Sequence, residues 1–156
     1  MQLLYNAAKF TTNRNDLKHI YKTFIRPVLE QAAPVWHSSL TEENSSDIER
    51  VQKAAVRVIM NKNHKDYELS LSELNLEKLF ERRSDLCLNF AKRTISNSKL
   101  NHMFPIRKET RIQKRRKTEF YIVKKTNTER LKKSSIPYMQ NLLNKHKEEN
   151  KHKKTC

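Results

Sequence analysis

The sequence predicts an all-α protein: a small helical bundle of about three main helices, followed by a basic, partly disordered C-terminal tail. Three observations carry this. Apolar residues recur at three- and four-residue steps through much of residues 15–95. No glycine occurs in 156 residues, which disfavours tight hairpins and leaves turns to Asn, Ser, Asp, Lys and Pro. Charge divides unevenly: residues 1–104 hold 16 Lys/Arg against 12 Asp/Glu, and residues 105–156 hold 17 against 5. Periodicity fades where the positive charge rises. The reading is therefore a helical domain over 1–104 and a basic tail over 105–156, with a boundary near Met103 to Pro105.

The first element spans Leu17, Ile20, Tyr21, Phe24, Ile25, Val28, Leu29, Ala32 and Trp36, one face of a helix that Asn15 or Asp16 caps. Pro27 removes a donor and disfavours helical geometry at Arg26. A bend is expected there, or a fresh helix with Pro27 in its first turn, and Pro34 repeats the effect. Phe24, Pro34 and Trp36 are expected to bury a large apolar area and anchor a turn between helices. In the second element, Ser46 and Glu49 read as a capping box ahead of Ile48, Val51, Ala55, Val58 and Ile59. The third stripe runs Leu76, Leu79, Phe80, Leu86, Cys87, Phe90, Ala91 and Ile95, with Asn75 as its cap. Beyond Pro105 the low apolar content does not offset the entropy of ordering; "FYIVKK" reads as a short strand or the apolar side of a helix, and "IPYMQNLLNK" as one helix after Pro137.

Composition removes several function classes. Without glycine there is no P-loop and no dinucleotide-binding turn. Glu42, Glu43, Asp47 and Glu49 read as charges favoured by a helix N-terminus rather than as a catalytic pair, and no nucleophile triad can be assembled. Cys87 reads as a small buried hydrophobe. His152 and Cys156 supply at most half of a zinc site, so no metal and no cofactor is implied. No apolar run approaches the roughly 18 residues a membrane span needs, and the expectation is a soluble, intracellular protein, nuclear or cytoplasmic, with no membrane and no small-molecule substrate as partner.

A net charge of +16 points to a polyanion, nucleic acid first. Lys18, Lys22 and Arg26 lie one helical turn apart, and Arg50, Lys53 and Arg57 share a face opposite the apolar stripe. Either row suits a phosphate backbone. In the tail, Arg107, Arg111, Lys114, Arg115 and Arg116 form a denser cluster, followed by Phe120 and Tyr121 as candidate stacking residues.

Three ordered blocks, "IYKTFIRPVLEQAAPVWHSSL", "IERVQKAAVRVIM" and "YELSLSELNLEKLFERRSDLCLNFAKR", resemble the segment after the palm in reverse transcriptases of LINE-type, jockey-like non-LTR retrotransposons. The resemblance covers about residues 3–95. The matching positions are Tyr21, Lys22, Arg26, Pro27, Leu29, Glu30, Pro34, Val35 and Trp36 in the first block, Glu49, Arg50 and Gln52 in the second, and Leu79, Glu81, Arg82 and Arg83 in the third. It implies a helical thumb and its extension, which grip a template–primer duplex of DNA or RNA–DNA and dock on a polymerase palm. The palm aspartates of such enzymes are not in the sequence, so the resemblance implies no polymerase activity for the chain alone. Gln31 departs from the pattern, where an aromatic is common, and is expected to loosen packing around Trp36.

Overall fold

In the first ten residues, Leu4, Ala7 and Ala8 recur at helical spacing, and the computed structural model has a helix there, α1 (Gln2–Phe10), with Leu4 wholly buried. The structure describes residues 1–11, 13–61, 66–106, 120–123 and 127–152. Among them the fold is all-α, the only β feature being an isolated antiparallel bridge between Ile106 and Tyr121. The chain forms two compact units, Met1–Ala33 with Leu40–Arg83, and Pro34–Ser39 with Ser84–Cys156. This division by compactness falls within one helix, at Arg83/Ser84, whereas the charge changes near Met103 to Pro105. Charge reports on surface, whereas compactness follows which apolar residues share a core.

In the first unit, α2 (Arg14–Ile20) opens at Asn13, whose side chain accepts the Asn15 N–H, so the cap lies ahead of Asn15 and Asp16. At Tyr21–Ile25 the helix widens into a π turn in which the Arg26 N–H reaches the Tyr21 carbonyl, and α3 (Arg26–Glu30) follows with Pro27 in its first turn. Pro27 cannot donate, and its ring would press on the carbonyl four residues back, at Thr23; the wide turn sits where that conflict arises. In a regular α-helix, positions four apart drift by about 40° per step. The extra residue in the turn offsets that drift, so Leu17, Tyr21 and Ile25 are buried in line, with Leu29 packed beside them. Phe24 and Val28 are carried outward instead, to 58% and 69% exposure, so Phe24 does not anchor the expected turn.

The long helix α5 (Glu42–Met60) starts one turn before the expected capping box. Thr41 accepts the Asn44 N–H, and Glu42 and Glu43 occupy the first turn, where the helix dipole favours negative charge. Next, α6 (Tyr67–Glu73) is capped by Asp66 and ends in a Schellman motif. The Leu76 N–H bonds to the Leu71 carbonyl and the Asn75 N–H to that of Ser72, while Asn75 takes a φ of 50°. Asn75 thus closes α6 and does not cap the start of the next helix. Leu71 and Leu76, paired across the motif, are both in the core with Leu4, Leu17, Tyr21, Ile25, Val56, Ile59 and Met60.

Helix α7 (Leu79–Ser96) contributes Leu79 to Arg83 to the first unit and the remainder to the second. Its buried line is Leu79, Arg83, Cys87, Ala91 and Thr94, narrower than expected, with Phe80 and Phe90 exposed. In the second unit α8 (Glu129–Lys132) precedes α9 (Ser135–His152), which begins two residues before Pro137; that proline falls in the first turn, where no intrahelical donor is needed. The core joins Cys87 and Ala91 to Phe104, Tyr121, Met139 and Leu143. Segment 34–39 opens with the short helix α4 (Ala33–Trp36); its Val35 carbonyl accepts the Ser135 hydroxyl at 2.7 Å, and Trp36 is half-buried.

Candidate nucleic-acid interface

Inward from α5, polar side chains hold the first unit in register. The Tyr21 hydroxyl donates to Gln52 Oε1 at 2.6 Å, and Gln52 Nε2 donates to the Tyr67 hydroxyl at 3.0 Å and the Glu77 carbonyl at 2.9 Å. Tyr67 in turn donates to Glu49 Oε1, and Glu49 Oε2 accepts the Leu79 backbone N–H at 3.1 Å, so this carboxylate caps the start of α7. Burial first, and for Tyr67 also the bond to Glu49, push both phenols well above the usual tyrosine range. A second cluster centres on Glu30, whose side chain is only 10% exposed. It accepts Arg82 Nε at 2.5 Å and lies 3.7 Å from Arg26 Nε. Arg83, wholly buried, donates to the Ser45 hydroxyl at 2.9 Å.

These bonds connect the three sequence blocks. Tyr21, Arg26 and Glu30 come from the first, Glu49 and Gln52 from the second, Arg82 and Arg83 from the third, and the bonds between them span 31 residues from Tyr21 to Gln52 and 52 from Glu30 to Arg82.

Outward from α5 the arrangement reverses. Ala55, Val56, Ile59 and Met60 face the core, and Arg50, Lys53 and Arg57 are all exposed on the far side. From Arg50 to Arg57 the row covers about 10 Å along the helix axis. Arg50 meets Asp47 at 2.9 Å, but this pair is solvent-exposed and holds the guanidinium weakly. Lys53 Nζ stands 5.2 Å from the centre of the Tyr67 ring, a cation–π contact on an aromatic fixed by the interior network. Arg57 has no ion-pair partner among the described residues.

The other row divides. Lys18 and Lys22 are half-buried on α2 and the π turn, and Lys22 is held below the usual lysine range by burial first, then by Lys18, Arg26 and Arg82. So four cations converge here. Arg26, however, is turned toward Glu30 with 19% of its side chain exposed, an ion-pair member more than an outward hand. Arg82 joins this cluster and was not among the residues read as binding; its place in the third block was the available signal. The expected tail residues Arg107, Arg111, Lys114, Arg115 and Arg116 lie outside the described residues, as does Cys156.

Among the described residues no group of three His, Cys, Asp or Glu side chains comes together to hold a metal ion, and no helix is long and apolar enough to cross a membrane. Glu42, Glu43 and Asp47 are exposed on α5, while Glu49 belongs to the interior network. Compared with known proteins, the chain matches no family model, no curated sequence and no solved structure.

Proposed function

We propose that this chain is a non-catalytic, nucleic-acid-binding helical module of the kind that forms the thumb of non-LTR retrotransposon reverse transcriptases, gripping a template–primer duplex through phosphate contacts. The observation that carries the reading is the convergence of the three resembling blocks. Polar residues far apart in sequence meet in two interior clusters, one around Gln52 and one around Glu30, which is what a shared architecture requires. With Glu49, Gln52, Arg82 and Glu30 engaged in holding helices together, the cations left for a ligand are those of the outer α5 face and the Lys18–Lys22 cluster. Backbone contacts of this type position a duplex without reading its sequence.

Binding to an RNA–DNA hybrid, followed by fluorescence anisotropy across a salt series, tests this. Affinity should fall steeply with salt, and the triple variant R50A/K53A/R57A should flatten the slope of log K against log salt by up to about 0.9 per cation removed. Salt-independent binding, or a triple variant indistinguishable from the parent, would overturn the reading.

A second reading has its own support. Phe24 and Val28 lie one turn apart, exposed on the same side of the chain's most heavily matched segment, as expected of a protein-interaction module that docks on a separate polymerase palm. In that case F24S/V28S should abolish association with a palm-bearing polypeptide while leaving salt-dependent hybrid binding intact.

A further inference from the structure

The π turn does for cations what it does for the core. By keeping Leu17, Tyr21 and Ile25 in line, it also aligns the residue that follows each of them: Lys18, Lys22 and Arg26. Arg82 of α7 reaches the same place through Glu30, whose Oε1 accepts Arg82 Nε at 2.5 Å and lies 3.7 Å from Arg26 Nε. One carboxylate oxygen thus holds both guanidinium groups by their Nε edges. No hydrogen bond among the described residues uses the Nη atoms of Arg26 or Arg82, and none of those atoms is closed off from solvent. Lys18 and Lys22, both half-buried, have no ion-pair partner among the described residues. Burial and the three neighbouring cations disfavour the charge on Lys22, and the exposed Glu77 favours it. Four cations against two carboxylates, Glu30 and Glu77, leave an excess of two positive charges. A partly buried excess of like charge is costly until an anion meets it.

We infer that Lys18, Lys22, Arg26 and Arg82 form a site for a phosphate dianion, filled by the terminal phosphomonoester of a nucleic-acid strand. This deepens the function proposed above and rests on it: the outer row of α5 takes phosphodiesters, and this cluster takes a strand end. A phosphodiester brings one negative charge and leaves half of the excess unmet. A phosphomonoester, whose second ionisation lies at about pH 6, brings close to two at about pH 8, together with three strong acceptor oxygens. Those oxygens suit the two guanidinium forks, whose paired N–H groups match phosphate geometry, with the lysines adding point charges. The contacts with Glu30 set the planes of the forks before the ligand arrives, so less freedom is lost on binding.

The test compares RNA–DNA hybrids that differ only in carrying a phosphate or a hydroxyl at their strand ends, using the full chain at about pH 8 and low ionic strength. Terminal phosphate should tighten binding about three- to tenfold, the order expected of one additional half-buried ion contact. K22Q should bring the two hybrids to within about twofold of each other, with its circular dichroism matching the parent. Inorganic phosphate should erode the advantage more than chloride of equal ionic strength. If the parent chain binds both hybrids equally, the strand-end assignment falls, whether or not inorganic phosphate binds at the cluster, while the proposed function stands; this comparison depends on no variant. An advantage that survives in both K18Q and K22Q would put the terminal phosphate elsewhere and overturn the inference as well. Absence of hybrid binding at low salt would overturn both.

Discussion

In the first unit, Gln52 joins the side chains of Tyr21 and Tyr67 and the backbone of Glu77; in the second, among the described residues, Gln140 and Asn144 bond to backbone. Gln140 Nε2 donates to the Met103 carbonyl at 2.9 Å. Asn144 accepts the Tyr121 N–H at 2.8 Å and donates to the Tyr121 carbonyl at 3.1 Å, as a neighbouring strand would. The contrast follows from what each amide has to satisfy. Between packed helices, backbone groups are already paired within the helix, so a buried amide finds side chains. Beside an irregular segment, backbone groups are unpaired, and the amide substitutes for the missing ladder.

This difference should appear in stability. Gln52→Ala leaves two phenolic hydroxyls and a carbonyl without their amide partner and should destabilise the first unit by about 3 kcal/mol. Asn144→Ala strands only the Tyr121 N–H and carbonyl, and should cost the second unit about 2 kcal/mol. Hydrogen exchange followed by mass spectrometry resolves the two units separately. If Asn144→Ala proved the more damaging, or either change loosened both units equally, the distinction drawn here would fail.

The same distinction explains what could be read in advance. Of the residues that bond across helices, Tyr21 lay on an apolar stripe and Glu49 in an expected capping box, whereas Gln52, Arg82 and Arg83 stood out only as positions matching the resembling blocks. Asn144 carried no such mark, because its partner is a stretch of backbone whose path the sequence does not announce. Phe24 and Val28 were misplaced for another reason: a stripe drawn at the α-helical period continues straight through Pro27, whereas the π turn rotates the face there. Asn75 fits either end of a helix by residue type, and only its positive φ decides for the end of α6. Arg26 was read as outward from its spacing with Lys18 and Lys22, but the buried carboxylate of Glu30 draws it inward. The outer row Arg50, Lys53 and Arg57 was legible because α5 is long, regular and strongly two-faced.

A smaller effect sharpens the contrast at alkaline pH. Tyr21 and Tyr67 belong to the first network and their phenols are pushed up strongly; Tyr121 and Tyr138 in the second unit are also raised by burial. A phenol raised on folding contributes stability that is complete below the unfolded value near 10 and is lost as pH climbs toward the folded value. Both units should therefore weaken above about pH 10. The first should do so more steeply, and Tyr67→Phe should reduce that steepness. Exchange-resolved stability at pH 8, 10 and 11 measures it; equal slopes in the two units would remove electrostatics from the comparison.

The smallest expected change concerns a turn instead of a network. Gln31 has φ −53° and ψ 127°, and Ala32 follows with φ 53°, close to the central pair of a type II turn, whose second position favours glycine. Among the described residues Asn61 and Asn75 also have positive φ, and the short polar side chain of Asn75 tolerates it; Ala32 has only a methyl group to place there. The chain has no glycine, so the strain at Ala32 is held by the elements on either side, α3 and the buried Ala33. Ala32→Gly removes a left-handed penalty of about 1 kcal/mol and restores part of it as extra freedom in the unfolded chain. The net result should be a first unit more stable by a few tenths to about 1 kcal/mol, with the second unit unchanged. Asn75→Gly, where the native residue already suits its φ, should gain less. A loss of stability in Ala32→Gly would mean that the methyl group contributes packing greater than its strain, and that the turn at Gln31–Ala32 is fixed by side chains as firmly as the network around Gln52.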